Sequence, residues 1–214
     1  MSSPFRTALA GTRFYPLTDR YLSKLSHAEQ VAHLARQGAR LVQLREKLLS
    51  PAEFYVEAAA AIRVGRDLGV KIIINDRVDI ALALEADGVH LGQDDLPPEA
   101  ARSILGEKAI IGFSTHNVEQ ARQALQMPVD YIATGPVFAT STKANAEKPL
   151  GLLELSRIRE VVGETPLVAI GGITSENSQS VIEAGADAVA VIRDIWASQN
   201  SLADRTSYLL QTPQ

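Results

Sequence analysis

Eight short runs rich in Ile, Val and Leu, each followed by a longer stretch of helical period, predict an α/β chain closed as a (β/α)8 TIM barrel. Length agrees, since 214 residues make a compact version of a fold that typically needs ~250. Composition agrees too: 46% hydrophobic content with 5% aromatics suits one domain, residues 1–214, packed mainly by aliphatic side chains. The rival architecture, an open doubly wound sheet, would carry a Gly-rich dinucleotide loop after its first strand. Leu17-Thr18-Asp19-Arg20-Tyr21 stands there instead.

A first strand over 13–17 precedes a helix over 27–37, with Gly38 just past its end as C-cap chemistry prefers. Strand 39–44 leads to helix 51–68, opened by Pro51, whose missing N–H costs little there, and closed by Gly69. Strand 70–74 is followed by helix 78–84, and strand 88–91 by helix 97–105 with Pro98 near its start. Strand 109–113 precedes helix 118–126. Between strand 131–134 and helix 152–161 lies the long stretch 135–151; loops beyond ~12 to 15 residues often act as lids or binding loops. Strand 167–170 precedes helix 176–184, with Gly185 beyond it, and strand 188–192 precedes a last helix over 202–210.

The net charge of −4 argues against a general nucleic-acid or membrane-surface binder and leaves room for a local basic pocket. A small phosphorylated molecule is the expected partner. Cys is absent, so disulfides and thiolate chemistry contribute nothing, and residues 1–11 hold no long apolar segment; a cytoplasmic location is expected. The sequence is silent on whether copies form a homo-oligomer.

Chemistry concentrates where the strands end. Asp76 follows the run Ile72-Ile73-Ile74-Asn75, and Asp95 follows Val89-His90-Leu91-Gly92-Gln93-Asp94. On neighbouring parallel strands both carboxylates would emerge at one rim and could share a hard divalent cation. Gln43-Leu44-Arg45-Glu46-Lys47 brings a guanidinium and an ammonium to the same rim, so a diphosphate is the natural ligand. In the long loop, Thr140, Ser141 and Thr142 can bond phosphate oxygens and Lys143 adds charge. Gly171-Gly172 after the seventh strand, with Ile192-Arg193 after the eighth, fits a second phosphate site on backbone N–H groups. Bland readings stand beside these. Asn75 or Asp76 could cap the helix at Val78, Asp94 or Asp95 the helix near Pro97, and Ser114 the helix after Asn117. His90 and His116 fit inward-facing or capping positions better than catalytic ones, and Tyr131 and Trp196 have a claim only to packing.

Taken together, Tyr15-Pro16-Leu17-Thr18-Asp19, Gln43-Leu44-Arg45-Glu46-Lys47, Ile74-Asn75-Asp76, the segment from Gly88 to Asp95, Gly112-Phe113-Ser114, Thr140-Ser141-Thr142-Lys143 and Ala169-Ile170-Gly171-Gly172-Ile173-Thr174 resemble the thiamine-phosphate synthase family. The resemblance spans nearly the whole chain. It implies a (β/α)8 barrel that joins hydroxymethylpyrimidine diphosphate to hydroxyethylthiazole phosphate, releasing diphosphate with Mg²⁺. Carried over by motif, Asp76 and Asp95 are the metal ligands. Gln43, Leu44, Arg45, Glu46, Lys47, Asn75, Ser114 and Lys143 hold the pyrimidine diphosphate, with Arg45, Lys47, Ser114 and Lys143 catalytic. Thr140, Ser141, Thr142, Gly172, Ile192 and Arg193 meet the thiazole phosphate; the family often has Ser where Arg193 stands. A related tautomerase family generally lacks the equivalents of Asp76, Asp95 and Lys47, all present here. A ligand sensor that has lost turnover is the non-enzymatic alternative.

Overall fold

The computed structural model describes residues 3–140 and 148–197. Its eight strands are β1 (Phe14–Pro16), β2 (Leu41–Leu44), β3 (Lys71–Asn75), β4 (Gly88–Leu91), β5 (Ile110–Thr115), β6 (Tyr131–Thr134), β7 (Leu167–Ile170) and β8 (Ala188–Val191). All pair in parallel in the order β1-β8-β7-β6-β5-β4-β3-β2. The ring closes through a parallel bridge between Leu17 and Gln43, where the Thr18 amide donates to the Gln43 carbonyl at 2.9 Å. The predicted barrel is therefore observed.

The helices arise from strong local signals. Ser26 and Ser50 cap α3 (His27–Arg36) and α4 (Pro51–Leu68) with full capping boxes, Glu29 and Glu53 reaching back to the cap amides. Between and after the later strands lie α5 (Val78–Ala83), α6 (Pro98–Leu105), α7 (Val118–Ala124), α8 (Gly151–Val162) and α9 (Ser178–Glu183). Three short helices escaped the sequence reading: α1 (Pro4–Leu9), α2 (Arg20–Ser23) and α10 (Arg193–Trp196). The predicted helix over 202–210 lies outside the described residues. No described helix is long and apolar enough to cross a membrane.

Alternation along each strand sorts side chains into two cores. Outward-facing Val42, Leu44, Ile72, Ile74, Val89 and Ile111 pack under the helices with Leu34, Phe54 and Leu155. Inward-facing Tyr15, Leu41, Ile73, Tyr131, Val168 and Ala188 fill the barrel, and α1 closes its floor with Phe5, Ala8 and Leu9. Phe5 stacks on Tyr131 with ring centroids 4.0 Å apart. The floor is filled, and the barrel interior opens at the opposite end, where the strands terminate.

Candidate active site

At that end a cavity of about 950 Å³ gathers most of the predicted residues. Gln43, Arg45, Lys47, Asn75, Asp76, Asp95 and Ser114 line it on the β2 to β5 side, and Thr140, Gly172, Ile192 and Arg193 across from them. Leu44 and Glu46 are not among its lining residues. Leu44 faces outward and is fully buried among the helices, as strand alternation requires once Gln43 faces in. Ser141, Thr142 and Lys143 lie outside the described residues.

The Glu46 side chain shapes the turn beside the cavity. One carboxylate oxygen accepts the backbone N–H groups of Lys47, Leu48 and Leu49 at 2.8, 2.7 and 3.3 Å. The other lies 3.4 Å from Nε2 of buried His27. Burial pushes its pKa up, yet these amides hold the carboxyl below the usual carboxylate range. The turn that carries the two cations is thereby pinned to the barrel wall. Arg45 is oriented by Asp19 at 3.5 Å, and its amide donates to Thr18 Oγ1 at 3.2 Å.

Facing this basic arm are the two rim carboxylates. Asp76 sits in the left-handed region at φ 62, a conformation non-Gly residues rarely adopt, with its amide bonded to the His90 carbonyl at 2.8 Å. Its carboxylate pairs with the Lys47 ammonium. Asp95 accepts the Gly92 amide at 2.7 Å; burial raises its pKa, and the neighbouring Asp76 carboxylate pushes the same way. Capping does not account for either residue, because Arg77 and Pro97 occupy the N-cap positions of α5 and α6, with no side-chain cap bond. Ser114 is no cap either. β5 runs to Thr115, beyond the predicted 113, and Asn117 caps α7 instead.

Two adjoining hard oxygen donors, with the Asp76 carboxylate helping to raise the Asp95 pKa, fit a divalent cation, and Lys47 already supplies part of the neutralising charge. Among the described residues no group of three His, Cys, Asp or Glu could hold a metal. A pair of carboxylates is what Mg²⁺ ordinarily takes, completing its shell with water and substrate phosphate rather than an all-protein cage.

Beneath the rim runs a chain of buried hydrogen bonds that the sequence reading missed. Gln43 Nε2 donates to Tyr15 Oη at 3.1 Å, Tyr15 Oη and Tyr131 Oη are 2.9 Å apart, and Tyr131 Oη lies 2.9 Å from His90 Nδ1. His90 Nε2 reaches Ser114 Oγ at 2.8 Å. Burial lowers the His90 pKa to about 4, so the ring is neutral at pH 7. Alternation would have placed all five side chains inside the barrel, but not shown which of them meet across it.

The family model described as thiamine monophosphate synthase matches residues 14–195. This chain belongs to the thiamine monophosphate synthase family. A thiamine-phosphate synthase of Syntrophomonas wolfei is 49% identical over 187 residues, 87% of this chain and 89% of that one. One from Clostridium novyi is 46% identical over 199 residues, 90% of this chain and 97% of the relative. Among solved structures, a thiamine phosphate pyrophosphorylase from Pyrococcus furiosus superposes with TM-score 0.84 at 35% identity, covering 96% of this chain and 95% of the other.

Membership of the thiamine-phosphate synthase family makes the chain a transferase of thiamine biosynthesis. The sequence reading set Arg193 apart, because the resemblance implies Ser at that position. It is the first residue of α10, exposed and on the cavity lining. α10 is tied down by Trp196, whose Nε1–H donates to the Leu17 carbonyl at 2.8 Å. That bond gives Trp196 a role besides packing.

Proposed function

We propose that this cavity joins hydroxymethylpyrimidine diphosphate to hydroxyethylthiazole phosphate, with the first substrate on the β2 to β5 side and the second across from it. Asp76 and Asp95 would hold Mg²⁺, which supplies charge neutralisation at the diphosphate. Arg45, Lys47 and Asn75, with Lys143 from the long loop, bind the diphosphate oxygens, while Gln43 and Ser114 orient the pyrimidine. Thr140, Ser141, Thr142, the Gly172 backbone, Ile192 and Arg193 receive the thiazole phosphate. The single observation that carries this reading is the convergence of two rim carboxylates and two rim cations in one cavity whose far wall is a glycine turn.

The chemistry asks little more of the protein. The pyrimidine amino group pushes electrons toward the carbon that loses diphosphate, and the nucleophile is a neutral thiazole nitrogen. Neither a covalent nucleophile nor a strong base is required. Arg45 and Lys47 stabilise negative charge building on the leaving group, and the walls align the two reactants. A site in the cytoplasm suits a chain without cysteine. Incubation with both purified substrates tests the reading. Thiamine phosphate and diphosphate formed only with Mg²⁺ support it, and ligand binding without product would favour a sensor.

A substitution at the glycine turn separates the two subsites. Gly172 has φ 66, and a Cβ there would lie 2.6 Å from the Ala139 carbonyl oxygen and 2.7 Å from Phe138 Cβ. Gly172→Ala must displace the 138–140 segment or its own turn. The expected result is a thiazole phosphate KM raised by about 5-fold or more, since each lost polar contact costs about 1 kcal/mol. The pyrimidine diphosphate KM should move little. Steady-state kinetics with each substrate varied in turn reads the difference, and an unaltered thiazole KM contradicts the assignment.

A further inference from the structure

The buried hydrogen-bond chain has a direction. Gln43 contributes an amide N–H to Tyr15 Oη, so Tyr15 is an acceptor at that contact. Each phenol has a single proton. If Tyr15 gives its proton to Tyr131 and Tyr131 gives its own to His90 Nδ1, every contact has one donor and one acceptor. In the reverse order, His90 Nδ1–H would donate to Tyr131 and Tyr131 to Tyr15. With Gln43 Nε2 facing Tyr15, the Tyr15 proton would then meet a donor inside a fully buried site; the reverse order satisfies every contact only if the amide is turned over. A buried unpartnered O–H is costly, so the first order goes with the amide as it stands.

That order reaches the cavity at both ends. With Nδ1 accepting, neutral His90 carries its proton on Nε2 and donates to Ser114 Oγ, which leaves the Ser114 proton directed elsewhere. Ser114 and Gln43 both line the cavity. At the other end Gln43, its amide N–H committed to Tyr15, presents Oε1 as an acceptor.

We propose that Tyr15, Tyr131 and His90 are positioning residues: an ordered relay across the barrel that fixes Gln43 as an acceptor and Ser114 as a donor toward one aminopyrimidine ring. The proposal rests on the function proposed above. An aminopyrimidine has an exocyclic N–H donor and ring-nitrogen acceptors, so the two ends of the relay match its edge in one orientation. A pyrimidine with a carbonyl in place of the amino group would set its own acceptor against Gln43 Oε1.

Two measurements test the relay. In ligand-free protein labelled with ¹⁵N in histidine, with His90 assigned by its loss in His90→Asn, Nε2 should resonate as protonated and Nδ1 as unprotonated. This readout needs no turnover, so it stands even if the chain makes no thiamine phosphate. Tyr131→Phe keeps the ring that stacks on Phe5 and removes the link to Nδ1. It should mix the two tautomers and raise the pyrimidine diphosphate KM about 5- to 10-fold, with the thiazole phosphate KM unchanged. Tyr15→Phe should act the same way and serves if Tyr131→Phe fails to fold. A His90 protonated at Nδ1 in the unaltered protein, or folded phenol-less variants with unchanged pyrimidine KM, would overturn the proposal.

Discussion

Asp76→Asn is expected to leave a folded barrel whose turnover falls about 10²- to 10³-fold, the scale on which single charge-stabilising groups act in enzymes. Folding survives for two reasons. Asn tolerates the left-handed backbone that Asp76 holds at φ 62 as well as Asp does. The ion pair with Lys47 is also partly solvated, with side-chain exposures of 23% and 50%, so its loss costs at most ~1 kcal/mol. Losing one of two adjoining carboxylates relieves repulsion on Asp95, which offsets part of that cost. On the proposed assignment turnover suffers because an anionic oxygen donor to Mg²⁺ becomes a neutral one and Lys47 loses its charged partner. Steady-state rates across a magnesium titration check this, and an unchanged rate at every concentration would remove Asp76 from the metal site.

Gly112→Ala should act on the fold instead. A Cβ at Gly112 would fall within the Tyr131 ring, in contact with its Cζ, Cε1 and Oη. Tyr131 cannot retreat, because Phe5 stacks on one side, His90 packs against it and its hydroxyl is bonded twice. Expelling the ring or bending β5 costs about 3–5 kcal/mol, on the scale of losing a large buried aromatic. For a domain of this size that lowers Tm by roughly 6 to 20 °C. Much of a typical total stability of about 5–15 kcal/mol would be gone. Thermal unfolding by circular dichroism reads the result, and a Tm unchanged within two degrees would contradict the packing described for the barrel floor.

What the sequence disclosed and what it withheld follow from the range of the signals. Helices α3 and α4 were legible because capping boxes and Pro at the first turn are local, and the strands because aliphatic runs between turn residues are local too. Rim residues such as Asp76 and Asp95 were legible because the end of a parallel strand is a defined place in a barrel. Glu46 and Leu44, grouped with the substrate contacts by motif, face other ways, since adjacent residues at a strand end point to opposite sides. The relay from Gln43 to Ser114 joins residues up to 116 positions apart across the barrel, which no local pattern encodes. Phe5 was hidden for the same reason: α1 is only six residues long, and its value lies in the floor it closes.

Binding of inorganic diphosphate, followed by titration calorimetry with and without Mg²⁺, tests most directly whether the rim is a metal-dependent clamp. Binding that tightens at least tenfold with Mg²⁺ and loses that gain in Asp76→Asn is the expected result. Diphosphate that binds equally well in a chelator, or as tightly to Asp76→Asn as to the unaltered chain, would contradict it.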